Sequence, residues 1–270
     1  MQFLGENIYG HTKKVALFRQ AIDDERRRLG RPLSIIDIGC GNGYAVSQFL
    51  PSEGDEYLGV DMHKESIQWA KDHYEHKNIR FECCQSEDLK PDRLYDVVVF
   101  SDVLEHVKEP AILLEKSRDL IRSDGLLLIS IPNGHGPFEL ESAFAKTLVG
   151  RWVLAAVDFI AALLDKTVLK GVWTREIEKD PPNLPYNIDA GHIQFFRLSD
   201  ISAMLDRNGF AVHSVQNLSF LSGPYSSYIF APFKAMVRWN VKVASRLPFK
   251  FASAWVLLAR KKADRDGMGC

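Results

Sequence analysis

Cysteine is scarce in this chain and badly placed for either of its framework uses. There are four, Cys40, Cys83, Cys84 and Cys270, two of them adjacent and none at metal-ligand spacing. That argues against a disulfide framework, leaves no metal to be expected, and fits a reducing cytoplasm. Charge of one sign is lacking too. With 34 Lys and Arg against 35 Asp and Glu the formal net charge is -1, which argues against a nucleic-acid binder working through a wholly basic surface. Long apolar runs are missing as well: the longest, residues 152–164, is broken by Asp158 and falls short of the roughly 20 residues that span a bilayer as a helix. The first residues, among them Glu6, His11, Lys13 and Lys14, have no apolar core of the signal-peptide kind, so export is not expected. What remains is ordinary. A chain of 270 residues, 46% apolar and 26% charged, buries a full core as one large domain or one domain with an insertion, and shows no internal repeat.

Residues 15–29 have helical spacing and close on Asp23-Asp24-Glu25-Arg26-Arg27-Arg28, expected to be a solvated helix face stopped by Gly30 and Pro32. Apolar runs and amphipathic stretches then alternate. Strands are predicted at 33–39, 57–62, 79–84, 96–100 and 126–131, and helices at 44–50, 65–76 and 110–121. Strands separated by helices at this spacing imply βαβ units and a parallel sheet covered on both faces. After Pro132 the pattern changes. Residues 134–190 carry a mostly apolar helix at 151–164 and a loop through Pro181, Pro182 and Pro185. The α/β pattern returns with a helix at 198–208 and strands at 210–215 and 254–259, and the stretch 221–250 is longer than a simple hairpin connection needs.

The chemistry concentrates at Ile36-Asp37-Ile38-Gly39-Cys40-Gly41-Asn42-Gly43-Tyr44, where an apolar strand runs into three glycines at alternate positions. Such a loop turns tightly and lets backbone approach a ligand more closely than a Cβ allows, and the helix start after it offers unpaired N–H groups. Alone it signals any nucleotide binder, or a tight structural turn. Its neighbours narrow it. Asp37, just inside the strand end, suits a cationic amine or sulfonium, whereas a pyrophosphate gains nothing from a negative charge there. The G-x-G-x-G spacing also departs from the dinucleotide pattern G-x-G-x-x-G. Asp61 ends the next strand in Leu58-Gly59-Val60-Asp61, where an acid accepts hydrogen bonds from ribose hydroxyls. It would suit NAD equally well, or could simply cap the following helix. Gln85-Ser86-Glu87-Asp88-Leu89 follows the third strand as a polar cluster placed to meet an adenine edge, and Cys40 reads as a small filler of the loop.

On these residues the segment 33–133 resembles the class I S-adenosylmethionine (SAM)-dependent methyltransferases, in particular the small-molecule group that includes the ubiquinone-pathway enzymes. Asp37 to Gly43 is similar to the family's first motif and Gly59-Val60-Asp61 to its ribose-binding acid. Tyr95-Asp96-Val97-Val98-Val99, with Val103-Leu104-Glu105-His106-Val107 after it, resembles the fourth-strand motif. Ser123-Asp124-Gly125 stands where the family has a Pro-Gly-Gly turn. Gln85 stands where it commonly has an acid for the adenine amino group, a bond that a Gln carbonyl also accepts. The resemblance implies SAM as cofactor, held by Asp37, Gly39, Cys40, Gly41, Gly43, Asp61, Met62, Gln85, Ser86, Glu87, Ser101 and His106. It implies a Rossmann-like α/β fold: a seven-stranded mixed sheet, last strand antiparallel, with helices on both faces and two insertions. The expected organisation is an N-terminal helical segment (1–32), the SAM-binding core (33–133), a helical insertion forming an acceptor site or cap (134–190), and the rest of the core (191–270) with a basic helical insertion at about 221–250.

The reaction expected is methyl transfer from SAM to a small-molecule acceptor, most simply at oxygen. A NAD-dependent oxidoreductase and a non-catalytic SAM-binding protein are the alternatives. Such transfer is an in-line displacement that needs a general base only where the acceptor must lose a proton. Candidates are Asp102, Glu105, His106, Asn133, His135 and His192, with His192, in Gly191-His192-Ile193-Gln194-Phe195-Phe196, preferred as base or substrate contact, followed by His135 and His106; a packing or turn role is open for each histidine. Helix 151–164 is apolar nearly all round, so it must be buried, paired with another chain or set against lipid. From Ala211 to Lys262 there is no Asp or Glu, while Lys234, Arg238, Lys242 and Arg246 recur every fourth residue and Phe233, Met236, Val237, Val241 and Ala244 line another face. That pattern suits an anionic membrane surface or an anionic, lipid-linked or lipophilic acceptor, against the plainer reading of a solvated basic face; sugars also remain open. Nucleic acid is not expected as a partner. The expected location is the cytoplasm, with peripheral contact on the inner face of the membrane in view.

Overall fold

The computed structural model describes residues 7–44, 47, 50–85, 88–89, 93–169, 191–230 and 232–263, which fall into two compact units. Among these described residues, the sheet unit takes in those of 14–131, 191–216 and 256–263, and the helical unit those of 7–13, 132–169 and 217–255. Helix α1 is His11–Leu29. The strands are β1 (Ser34–Ile38), β2 (Glu56–Asp61), β3 (Ile79–Cys83), β4 (Tyr95–Ser101), β5 (Ile121–Pro132), β6 (Phe210–Asn217) and β7 (Ala254–Lys261). They form one seven-stranded sheet in the order β3-β2-β1-β4-β5-β7-β6, with β1 to β5 parallel and the end of the sheet antiparallel. The Val97-Val98-Val99-Phe100 run of β4 has no exposed surface, as expected of a central parallel strand covered on both faces. Helices α2 (Lys64–Tyr74), α3 (Pro110–Leu120) and α6 (Leu198–Arg207) turn Ile67, Leu113, Leu114, Ile201 and Leu205 into the core. In the helical unit lie α4 (Pro137–Ala145), α5 (Leu148–Leu164), α7 (Pro224–Phe230) and α8 (Lys234–Ala244).

Several expectations change. The fifth strand begins at Ile121, five residues early, because 122–125 form a bulge between the pairs Tyr95↔Ile121 and Val97↔Leu126, with Asp124 at φ 58. The expected helix after the glycine loop is not formed at Tyr44 and Ser47, which lie in turns; residues 45, 46, 48 and 49 are outside those described. The loop through Pro181, Pro182 and Pro185 is outside them too.

The acid–base run of α1 is not simply solvated. Glu25 is 1% exposed and is gripped by Arg28 (2.6 and 3.0 Å) and Arg260 (2.6 Å), while Arg26 reaches the buried Asp55. Burial alone would raise the Glu25 carboxyl; the two guanidiniums outweigh it and hold it below its ordinary value.

Helix α5 is also not buried among the described residues: Leu148, Trp152, Phe159 and Leu163 are 76%, 74%, 71% and 53% exposed. At 100° per residue these four lie opposite the buried Gly150 and Ala161, so the large apolar side chains form the outer stripe. The polar contacts of α4 and α5 go to α7 instead. The Glu141 carboxylate accepts from Ser226 N (3.0 Å) and Oγ (2.9 Å), and Tyr225 Oη donates to the Gly150 carbonyl (2.7 Å). On α8 the basic stripe Lys234, Arg238 and Lys242 is exposed and Val237, Val241 and Ala244 are buried, as expected, but Met236, assigned to the apolar face, is 37% exposed. No single described helix is long and apolar enough to cross a membrane; α4 and residues 148–167 pass that test only as a pair, bent by 97°.

Candidate active site

Strand β1 delivers Asp37 between Gly59 of β2 and Val99 of β4, at the centre of the sheet. Its carboxyl is fully buried. Oδ2 accepts from the Tyr57 hydroxyl at 2.6 Å, and Oδ1 has no hydrogen-bond partner. Burial raises this acid to about 7, against the Tyr57 hydrogen bond and the Lys14 charge, with Asp61 adding to the rise. A buried carboxylate with one idle oxygen is a costly arrangement for a folded protein and an effective one for a cationic ligand.

The loop that follows is shaped by its glycines. Gly39 sits at φ 79, and a Cβ there would lie 2.5 Å from Val103 Cγ2. Gly41, at φ 55, differs: a Cβ would meet nothing within 4 Å, so packing does not require glycine and the space beside it is open. The Gly41 N–H donates to Asp61 Oδ2 (2.9 Å), and Asp61 Oδ1 accepts from His63 N (2.8 Å). His63, not Asp61, is the N-cap of α2. Asp61 is therefore tied to the glycine loop rather than to the helix. Cys40 is a filler, with its thiol pushed up by burial, and Met62 beside Asp61 is 64% exposed. Gln85 is exposed and its backbone carbonyl accepts from the Asp88 N–H, while Ser86 and Glu87 lie outside the described residues.

At the end of β4, Ser101 pairs with Ser130 of β5. Asp102 follows at φ 57, a left-handed conformation that Asp tolerates. Its Oδ1 accepts from Ser130 Oγ (2.8 Å) and its Oδ2 from Lys14 Nζ (2.6 Å). The short turn Leu104–His106 then carries Glu105, which is 1% exposed and raised to about 9 by burial first and Asp102 second. The Glu105 carbonyl accepts from Ile193 N (2.9 Å) and Gln194 N (3.0 Å), which brings His192 to His106 with ring centroids 5.1 Å apart.

The other acceptor-side candidates fare differently. Asn133 is a structural clasp: its amide donates to the carbonyls of Ala252 (2.8 Å) and Lys250 (3.2 Å), and its Oδ1 accepts from His135 N. Both ends of the Asn133 side-chain amide are thus engaged within the helical unit. His135 is exposed and belongs to the helical unit, whereas His106 and His192 belong to the sheet unit. Lys14 was read only as a polar N-terminal residue. The signal was nevertheless present, since 14, 18, 21 and 25 share one helix face, buried throughout and charged at both ends.

Residues 11–215 match the family described as methyltransferase domain. The chain belongs to the methyltransferase-domain family. Curated relatives include ubiquinone biosynthesis O-methyltransferases of Bradyrhizobium diazoefficiens, 30% identical over 45% of this chain, and of Coxiella burnetii, 33% identical over 43%. The chain spans about half the length of the relatives it matches, 48% of each. Among solved structures, a SAM-dependent methyltransferase from Mesorhizobium loti has the same fold, with TM-score 0.52, 17% identity, and coverage of 90% of this chain and 96% of that one. The cofactor that goes with this methyltransferase family is SAM.

Proposed function

We propose that this methyltransferase transfers the methyl group of SAM to an oxygen of a small lipophilic or lipid-linked acceptor. The observation that carries the cofactor half is the idle Asp37 Oδ1 beside an open glycine loop. In this reading Asp37 faces the ammonium of the cofactor, Gly39 to Gly43 lie along its methionine portion, and Asp61 takes the ribose hydroxyls on lone pairs that the Gly41 and His63 amides leave unused. Met62 and Gln85 flank the adenine, and Ser101 and His106 border the sulfonium. Oxygen is favoured as the acceptor atom because the curated relatives are O-methyltransferases. The oxygen attacks the methyl carbon, the C–S bond breaks to leave the neutral thioether, and the acceptor proton goes to His192 or His106.

A lipophilic acceptor and a peripheral seat on an anionic bilayer are supported by the helical unit. The outward stripe of α5 offers Leu148, Trp152, Phe159 and Leu163, and α7 links α4 to α8, where the basic stripe lies with Trp239 half exposed. An apolar stripe together with basic residues is the combination that anionic headgroups over acyl chains bind. The deciding experiment incubates the protein with a lipid extract and deuteromethyl-labelled SAM and looks for a labelled product by mass spectrometry. A labelled lipid-soluble product is expected. Label found only in water-soluble products would refute the acceptor class, and Asp61→Ala binding S-adenosylhomocysteine as tightly as the wild type would refute the cofactor site.

A further inference from the structure

The seven-stranded sheet has two edges, and they are guarded unequally. At one end β3 is short, with Arg80 and Glu82 exposed, and charged side chains are the usual means by which an edge strand discourages further pairing. At the other end β6 runs for eight residues, Phe210-Ala211-Val212-His213-Ser214-Val215-Gln216-Asn217, without a Lys, Arg, Asp, Glu, Pro or Gly. Among the described residues β7 lies on one side of it and no strand on the other. Such an edge presents a row of main-chain N–H and C=O groups, and its own side chains include none of the residues that turn a second strand away.

The strand is also preformed. Just before it, Gly209 sits at φ 80 and its carbonyl accepts from Lys262 N (2.8 Å); just after it, Leu218 N donates to the Ala254 carbonyl (2.9 Å). Both ends are thus bonded to the chain at either end of β7. Phe210 and Asn217 at the ends are buried, whereas His213 and Gln216 between them are exposed. An edge fixed at both ends and open in the middle loses little conformational freedom when another strand joins it.

We infer that β6 is the contact surface for a second copy of this chain, the two β6 strands pairing antiparallel across a two-fold axis to join the sheets edge to edge. Charge selects that partner. A strand with no charged side chain offers an acidic or basic peptide nothing to read, whereas its own copy is equally uncharged. With the axis at the middle of the strand, between His213 and Ser214, the pair brings together only His, Ser, Val, Ala and Gln near the centre, and no like charges meet. A two-fold contact uses the same patch on both copies, so association closes at the dimer. In the sheet β6 stands three strands from β4 and four from β1, so cofactor binding does not depend on the contact, nor the contact on the methyl-transfer reading.

The test is sedimentation of the full chain carrying Trp152→Glu/Phe159→Glu, which removes the exposed α5 stripe as another route to self-association. A species of twice the chain mass is expected. Adding His213→Lys/Gln216→Lys sets like charges across the axis and should weaken the dimer about tenfold or more, with circular dichroism showing that the variant is folded. Hydrogen exchange on the protein without the lysines locates the contact independently: amides within 210–217 should become protected as concentration drives dimerisation. A monomer at every concentration, an equally tight dimer in the folded lysine variant, or protection confined to other segments overturns the inference. So does an open series of larger species, which a two-fold contact cannot produce.

Discussion

If Asp37 faces the cofactor ammonium as proposed, cofactor affinity must depend on pH, and the size of the effect follows from the surroundings of this carboxyl. The free protein holds this carboxyl at about 7, and a ligand ammonium against the idle Oδ1 requires the ionised form. With the bound-state value well below 5.5, the ratio of affinities at pH 7.0 and 5.5 is (1 + 10^1.5)/(1 + 10^0), about 16-fold in favour of pH 7.0. The window stops at 7.0 because a free α-amino group titrates near 7.7–8.0 and the ligand must keep its proton. Tyr57, Lys14, Asp61 and Cys40 are the other charged or titrating groups around Asp37, and the Tyr57 hydroxyl and Cys40 thiol, both raised by burial, stay protonated throughout. Titration calorimetry with S-adenosylhomocysteine in two buffers of different ionisation heat should show the slope and, at pH 7.0, release of about half a proton per ligand.

Asp37→Asn removes both, and should bind like the wild type at pH 5.5 while falling behind as the pH rises. Flat wild-type affinity, or an unchanged slope in Asp37→Asn, would refute the assignment. The stability of the free protein must move the opposite way. A carboxyl raised in the folded state favours folding below its unfolded value near 3.9 and loses that contribution as the pH climbs through about 7, so added ligand should offset a decline in melting temperature over that range.

Three more outcomes are expected. Gly41→Ala meets no atom of the described residues but fills the open side of the loop, so it should fold with a loss of about 1–2 kcal/mol from its φ of 55 and lose most S-adenosylhomocysteine affinity; undiminished calorimetric affinity would remove the loop from the cofactor site. The protein should float with vesicles containing phosphatidylglycerol at low salt and release as salt rises, and Trp152→Glu/Phe159→Glu should abolish flotation while leaving S-adenosylhomocysteine binding intact; flotation equal with neutral vesicles, or unaffected by the two substitutions, would discard the bilayer seat. Arg260→Ala leaves the buried Glu25 with Arg28 alone, for a loss of about 2 kcal/mol in urea unfolding at pH 7. That difference should shrink below about pH 4 as Glu25 takes up its proton, because a lowered carboxyl contributes stability only above its unfolded value.

Most of the sheet was legible because parallel strands announce themselves by uninterrupted apolar residues, and β4 is the clearest case. The clustering of Asp37, Gly39, Gly41 and Asp61 was legible because its geometry is local: they come from two adjacent strand ends, and the hydrogen bond from Gly41 N to Asp61 is the tertiary form of their spacing in sequence. What could not be read depends on contacts between distant segments. Nothing near Glu25 names Arg260 as its partner, nothing near Lys14 names Asp102, and nothing near Asn133 names the carbonyls of Lys250 and Ala252.

Helix α5 was legible in composition but not in orientation. Its sequence required that an apolar surface be covered, and folding could have turned either side to the protein. The choice was made by the smallest residues. Gly150 has no room for a side chain, since a Cβ there would lie 1.9 Å from the Phe144 carbonyl, and the Tyr225 hydroxyl closes on the carbonyl of Gly150 itself. The helix therefore packs on its small, backbone-rich side and turns Trp152 and Phe159 outward. A helix evolving only for solubility would replace those two with polar residues at no cost in packing among the described residues, and that is the physical support for the proposed bilayer seat.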